Sequence, residues 1–231
     1  VSRLLVGLVA LVGLLPWAAP AAAAALVDPT ETVGTGRIRL DVGADLVLDR
    51  DLRFEDAGVR RESEARRFLL SGTYGLLPEL DGFLTLGASR LRLTDENALP
   101  TGRFDGEVGF AFGGGLRYRF LDQRLFKVGA QLGLARLESR ERGVAASWIE
   151  YDLLLATSLH VFRDLVPYLG LGASIVDGEF EGPFGRIGFR QENVIGALVG
   201  VSYAATAQVK ATLAGRVFDQ TTVAFTLSFG F

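Results

Sequence analysis

The nine residues from Val223 to Phe231, VAFTLSFGF, decide how this 231-residue chain is read. Val223, Phe225, Leu227, Phe229 and Phe231 share one parity, and Ala224, Thr226, Ser228 and Gly230 share the other. Successive side chains of a strand point to opposite faces, so the segment is a ribbon with one greasy face and one small, polar face. A soluble protein buries the greasy face in a sandwich. A membrane barrel turns it outward to lipid and keeps the polar face in its lumen.

The same alternation recurs along the chain. Ile38, Leu40, Val42, Ala44, Leu46 and Leu48 oppose Arg37, Arg39, Asp41, Gly43 and Asp45. Val108, Phe110, Phe112, Leu116, Tyr118 and Phe120 alternate with Glu107, Gly109, Ala111, Gly113, Gly115, Arg117 and Arg119. Further alternating segments are 66–77, 82–93, 124–137, 147–162, 166–177, 189–204, 207–217 and 221–231, which makes ten strands with the first two. The count falls to eight if one hairpin stands outside the membrane. In segment 82–93, Arg90 and Arg92 ask for the lumen and would bring Leu84 and Leu86 with them. Segment 166–177 is glycine-rich, with little difference between its faces, so its register is weakly specified.

Short connections (78–82, 121–124, 163–166, 204–207) alternate with longer polar ones (50–65, 94–105, 138–146, 178–188). That rhythm is expected of periplasmic turns and extracellular loops, with both termini periplasmic and an even strand number. Phe83, Phe120, Phe126, Phe162, Tyr168, Tyr203 and Phe231 lie beside the short turns. They are expected to form one interfacial girdle, with Trp148, Phe184, Phe189 and Phe218 as its counterpart near the long links.

The beginning of the sequence has a different grammar. Arg3 precedes the apolar run Leu4 to Leu15, then Pro16, Trp17 and small residues from Ala18 to Ala25. The run is 12 residues, short of the ~20 that a spanning helix needs. The layout is that of a cleavable secretory signal over 1–25, cut near Ala23 to Ala25, ahead of a single barrel domain over 26–231. The chain has no Cys, which excludes disulfides and thiolate metal sites. Removing Arg3 from 24 basic residues leaves 23 against 27 acidic, a net charge of −4. No basic stripe points to nucleic acid.

A signal-like start combined with a final aromatic strand resembles small bacterial outer-membrane β-barrel proteins. The likeness is to the barrel part of OmpA-type proteins, without a periplasmic domain, and covers residues 34 to 231. It implies an all-β, transmembrane, antiparallel up-and-down barrel in the bacterial outer membrane, exported through the periplasm. It also implies that Phe225, Leu227, Phe229 and Phe231 form the signal read by the barrel-assembly machinery. Outer-membrane lipid and lipopolysaccharide would surround the barrel. No nucleic acid or cofactor is expected, and no protein partner can be named.

Parity places Arg37, Arg39, Asp41, Asp45, Arg67, Glu107, Arg117, Arg119, Lys127, Gln131, Glu150, Asp152, Glu192, Lys210 and Arg216 in the lumen. An Arg or Lys facing mid-membrane lipid would cost about 2–4 kcal/mol, so such a set is tolerable only inside. A narrow barrel can fill its interior with such side chains as a salt-bridged core, or leave a water-lined path for ions or small solutes. The expected role is a structural envelope barrel without catalysis. The alternatives are a narrow porin-like channel and a surface adhesin or complex subunit acting through its loops. Ser158 and His160 share a strand face and could in principle support acyl transfer, but no third member is placed to orient the imidazole. Asp51, Glu55, Asp95 and Glu96 read as solvated loop carboxylates, and no calcium-loop spacing is present.

Overall fold

A computed structural model of the protein describes residues 27–55, 59–95, 99–100 and 102–231. The signal reading of residues 1–25 lies outside them. The strands are β1 (Ile38–Phe54), β2 (Arg60–Leu77), β3 (Leu80–Leu93), β4 (Glu107–Asp122), β5 (Phe126–Glu141), β6 (Val144–Leu159), β7 (Leu165–Gly182), β8 (Gly185–Gln191), β9 (Ile195–Ala204), β10 (Val209–Val217) and β11 (Thr221–Gly230). All pairings between them are antiparallel.

Ten strands close a ring: β1 to β7, then β9, β10 and β11, with β11 returning to β1. The closing register pairs Arg39 with Gly230 and Leu46 with Val223. The terminal segment that set the reading is therefore the strand that seals the barrel. Closure leaves no unpaired edge, as a spanning sheet requires. On the outside stand Leu40, Phe68, Leu70, Tyr74, Leu153, Leu155, Leu169, Leu171, Val199, Leu213 and Phe225. Leu84 is 73% exposed and Leu86 56%. An exposed apolar belt around a closed ring suits hydrocarbon and not water.

The eleventh strand was not expected. Segment 189–204 reads as one strand, but it splits into β8 and β9. β8 is the return arm of a hairpin with the end of β7, where Gly182 pairs with Gly185, and its other edge pairs with β1. Strands β9 to β11 have 9 or 10 residues, against 14 to 18 for β1 to β7. A membrane strand needs about 9–11 residues. The short strands thus match the membrane, and β1 to β7 continue past it. Beyond the short strands, β8 closes the wall between β7 and β1, so a ten-stranded ring carries an eight-stranded one on top.

This geometry shortens the long links. The 138–146 link contains only the two-residue turn Arg142-Gly143, both with positive φ (46° and 84°). That is the backbone a tight hairpin favours. The 50–65 link is mostly β1 and β2, and the 178–188 link is mostly the β7–β8 hairpin. Charges of the second link sit on strands as a cross-strand pair, Glu181 opposite Arg186. Opposed charges stabilise a ladder standing in water, and a charge count alone reads the same residues as loop. We call this the hairpin end and the opposite one, with the short turns and Phe231, the turn end.

Candidate functional site: the filled lumen

The interior is stacked in three layers. At the turn end, residues 27–36 do not hang free. Val27, Asp28, Pro29 and Thr30 are buried inside the ring. Thr30 Oγ1 donates to Asp28 Oδ1 at 2.8 Å and lies 2.7 Å from Ser158 Oγ on β6. The Val33 amide donates to both carboxylate oxygens of Asp81 on β3, at 3.0 and 3.2 Å. Thr32 Oγ1 donates to the Pro78 carbonyl at 2.9 Å, and Glu31 pairs with Lys210 on β10. This strap leans on two glycines. At Gly129 of β5 a Cβ would lie 2.5 Å from the Pro29 carbonyl oxygen, and at Gly75 of β2 it would collide with the Gly34 carbonyl. Behind the strap, Arg117 donates to Gln131 Oε1 at 2.7 Å and to the Glu31 carbonyl at 3.4 Å, and stacks over the Phe83 ring at 5.7 Å.

The middle layer is ionic and almost wholly buried. Glu150 of β6 accepts from Arg50 at 2.7 Å and from Arg67 at 2.7 Å. Arg216 of β10 donates to Asp152 at 2.7 Å and to Asp219 at 3.0 Å. Arg50 Nε also donates to Gln220 Oε1 at 2.8 Å. Three guanidiniums (Arg50, Arg67, Arg216) thus face four carboxylates (Asp45, Glu150, Asp152, Asp219). Glu150, Asp152 and Asp219 each bond a guanidinium, while the buried Asp45 makes no ion pair among the described residues. An isolated buried ion is costly, so the paired charges are what the cluster rests on.

The top layer is apolar. Inside the eight-stranded ring, Phe180 stacks on Phe54 at 5.7 Å and meets Phe104 edge-on at 5.1 Å and Phe189 at 4.9 Å. Leu52, Leu91, Leu93, Leu99, Leu137, Val144, Trp148 and Val176 complete this core. A polar lumen throughout was expected, and this layer departs from it. The reason is the solvent outside. Above the membrane the outer wall meets water, so the ordinary preference for apolar burial returns.

Arg39, Asp41, Arg117, Arg119, Lys127 and Lys210 lie in the turn-end half. Asp45, Glu150, Asp152 and Arg216 stand in the middle. Three residues fall elsewhere. Arg37 is exposed at the turn-end mouth, just before β1. Glu107 is exposed at the start of β4. Glu192 follows β8 and pairs with the exposed Arg53 and Arg60. Arg90 and Arg92 point outward, paired with Asp105 and Glu64, so Leu84 and Leu86 keep the lipid side. The proposed girdles are also revised. Phe83, Tyr168, Trp148 and Phe189 are buried in the interior, whereas Phe120, Phe126, Phe162, Tyr203, Phe218 and Phe231 face outward. Asp51 is not a solvated loop carboxylate: it is buried and binds Arg60 and Asn193.

Arg50 is the residue that sequence reasoning missed. A bulge between Val47 and Arg50 resets the parity of β1, so the inward set changes from Asp45 and Val47 to Arg50, Leu52 and Phe54. Bulges re-aim side chains in this way, and nothing in the string LVLDRDLRF marks where the shift falls. Ser158 and His160 do meet, with Oγ 3.1 Å from Nε2. Burial, and then the Lys127 ammonium, lower the His160 pKa from its ordinary value and favour the neutral ring. Ser158 is fully buried under Thr30, and the carboxylate of this group, Asp28, binds Thr30 and not the imidazole. That geometry does not supply an accessible nucleophile.

No protein-family model matches the sequence, and no curated protein matches it. Among solved structures, the COG4313 outer-membrane channel from Pseudomonas putida F1 superposes with a TM-score of 0.49 at 14% identity, covering 89% of this chain and 100% of that one. Ail, the attachment invasion locus protein of Yersinia pestis, gives 0.43 at 12% identity, covering 85% and 99%. The outer-membrane protein OprG from Pseudomonas aeruginosa gives 0.42 at 10% identity, covering 87% and 99%. None of these likenesses is close enough to speak to function.

Proposed function

We propose that this chain is an integral outer-membrane barrel of the bacterial envelope whose lumen is sealed, with a structural role and no catalysis. The single observation that carries this reading is the stack of three interior layers: strap, ion-pair cluster and aromatic core. The strap narrows the turn-end mouth, and a solute path passing beside it would still have to cross the ion-pair cluster and the aromatic core. The turn end faces the periplasm in this reading, because short turns on one side and longer hairpins on the other follow the direction in which such barrels insert. The outward residues Phe225, Leu227, Phe229 and Phe231 are then the segment presented to the assembly machinery. The outward Arg66, Arg90 and Arg136 lie beyond the apolar belt, where the phosphates of lipopolysaccharide would meet them.

The test is single-channel recording of refolded protein in a planar bilayer, after a heat-dependent gel shift has established that the barrel is folded. A folded and silent barrel is the expected result. Reproducible conductance steps would overturn the sealed lumen and favour the narrow-channel reading.

A further inference from the structure

The strap fills only one side of the turn-end mouth. Its anchors Ser158, Asp81 and Pro78 lie on or beside β6 and β3, it presses on β5 and β2, and only the Glu31–Lys210 pair reaches across to β10. Against the opposite wall, formed by β9, β10 and β11, remains an open cavity of about 500 Å³. Small-molecule sites typically have volumes of about 300–1,000 Å³. The wall contributes hydroxyls from Ser202, Thr212 and Ser228, the strap contributes Asp28, and the start of β1, beside β11, contributes Arg37 and Arg39.

Two of these charged groups are incompletely bonded. Asp28 is buried, and its Oδ1 accepts from the Thr30 amide at 2.9 Å and from the Thr30 hydroxyl at 2.8 Å. Its Oδ2 has no hydrogen-bond partner among the described residues. Arg39 has a side chain only 11% exposed, with Nε 3.0 Å from Asp41, and its Nη2 likewise has no partner among the described residues. Buried polar atoms of native proteins are nearly always satisfied, so each such exception asks for an explanation. Here two residues of opposite charge, Asp28 and Arg39, line one cavity, with their unpartnered atoms lying beneath its accessible surface, and Arg37 adds a second guanidinium at its mouth. Lys210 is already paired with Glu31.

We infer that this cavity binds a small zwitterion carrying an ammonium and a carboxylate, of the amino-acid or short-peptide class. The carboxylate would take the Arg39 and Arg37 guanidiniums, whose planar forks suit it. The ammonium would take Asp28 Oδ2, and the serine and threonine hydroxyls would meet the polar backbone between them. A plain anion would set its charge against Asp28, and a plain cation would set its charge against the two arginines. An apolar ligand would leave both buried charges unsatisfied.

The experiment is isothermal titration of the refolded, detergent-solubilised full chain with glycine, diglycine and triglycine. Acetate and methylammonium serve as the single-charge comparisons. At least one zwitterion of the series binds saturably and more tightly than either comparison. Arg39→Gln and Asp28→Asn each weaken it at least about tenfold, the scale of one lost charge-assisted hydrogen bond. Arg37→Gln alters an exposed residue outside the ring, so it keeps the test valid if a lumen variant fails the heat-shift check, and it weakens binding in the same direction. The inference is overturned if no zwitterion gives a saturable heat, if acetate or methylammonium binds as tightly, or if the folded variants keep full affinity. A sealed lumen is unaffected by any of these results, because the cavity opens at the turn end only beside the strap.

Discussion

In the ten-stranded ring the interior holds Arg67, Glu150, Asp152 and Arg216, and the outside holds Leu70, Leu84 and Leu155. In the eight-stranded ring above it the arrangement is reversed. There the interior holds Phe54, Phe104, Phe180 and Phe189, and the outside holds Arg90, Asp177, Glu179 and Arg190. The strands β1 to β7 run through both rings, so the backbone does not change. What changes is the surrounding solvent. Lipid makes an outward apolar side chain cheap and an outward charge expensive, while water outside restores the usual preference for an apolar interior. One barrel therefore uses two opposite dressing rules along its axis, and the switch marks the edge of the membrane band.

The largest expected effect strikes the lower ring. Glu150→Ala leaves the Arg50 and Arg67 guanidiniums buried without their shared carboxylate. Loss of one partner of a buried pair costs about 3–5 kcal/mol, and two stranded cations should bring this variant to the upper end. Urea unfolding in detergent, followed by tryptophan fluorescence or heat-shift gels, measures it; a loss below about 1 kcal/mol, the scale of an exposed pair, would break the contrast.

Phe180→Ala is the matching test of the upper ring. Phe180 is fully buried and touches Phe54, Phe104 and Phe189. Its removal should cost about 3–4 kcal/mol through lost transfer energy and the cavity left behind. Hydrogen exchange should localise the change to the hairpin end, with the β9–β11 amides still protected. Uniform loss of protection would mean that the rings are not separate packing units.

A smaller effect is expected where the strap meets the wall. Gly129→Ala puts a Cβ 2.5 Å from the Pro29 carbonyl oxygen and 2.8 Å from Thr30 Cα. Overpacking of this kind costs about 1–3 kcal/mol, and the strap can relieve it by leaving the mouth. Limited proteolysis should then cut within residues 27–36 in the variant and spare them in the parent. Equal resistance would show that the strap does not rest on β5.

The smallest effect concerns pH. Burial and Lys127 lower the His160 pKa from 6.5, so the folded state favours the neutral ring and the unfolded state binds the proton more readily. The contribution is fully present above the unfolded value and is lost as pH falls through the lowered folded value. His160 is only partly buried, at the rim of the turn end, so the step is small. Unfolding midpoints measured down from neutral pH should fall slightly more for the parent than for His160→Gln, and identical curves would refute this contribution.

Much of the ten-stranded ring was legible in the sequence, because alternation is strongest where lipid demands one face and a narrow lumen demands the other. β11 and the first half of β1 show this: Phe225 and Leu46 face outward, while Thr226 and Asp45 face in. The upper ring was harder for two reasons. Its charges, such as Glu181 and Arg186, read as loop because no membrane forbids them on a strand. Its apolar interior residues on β1, Leu52 and Phe54, share the parity of the lipid-facing Leu46 and Leu48, and only the bulge after Val47 turns them inward. The strap was illegible as well. Its hold on the lumen depends on Thr30 meeting Ser158, 128 positions away, a contact that no local pattern announces.

The inversion itself can be tested most directly on β3, whose outward residues cross the boundary from Leu84 to Arg90. The chain has no cysteine, so single cysteines give a background-free report. Leu84→Cys and Arg90→Cys would be reconstituted in lipid vesicles and their labelling rates by a charged, membrane-impermeant maleimide compared. Rapid labelling at position 90 and almost none at position 84, with both reacting alike after unfolding, is the result expected of a barrel that passes from lipid to water between them. Equal rates at the two positions in the folded, reconstituted protein would contradict the account.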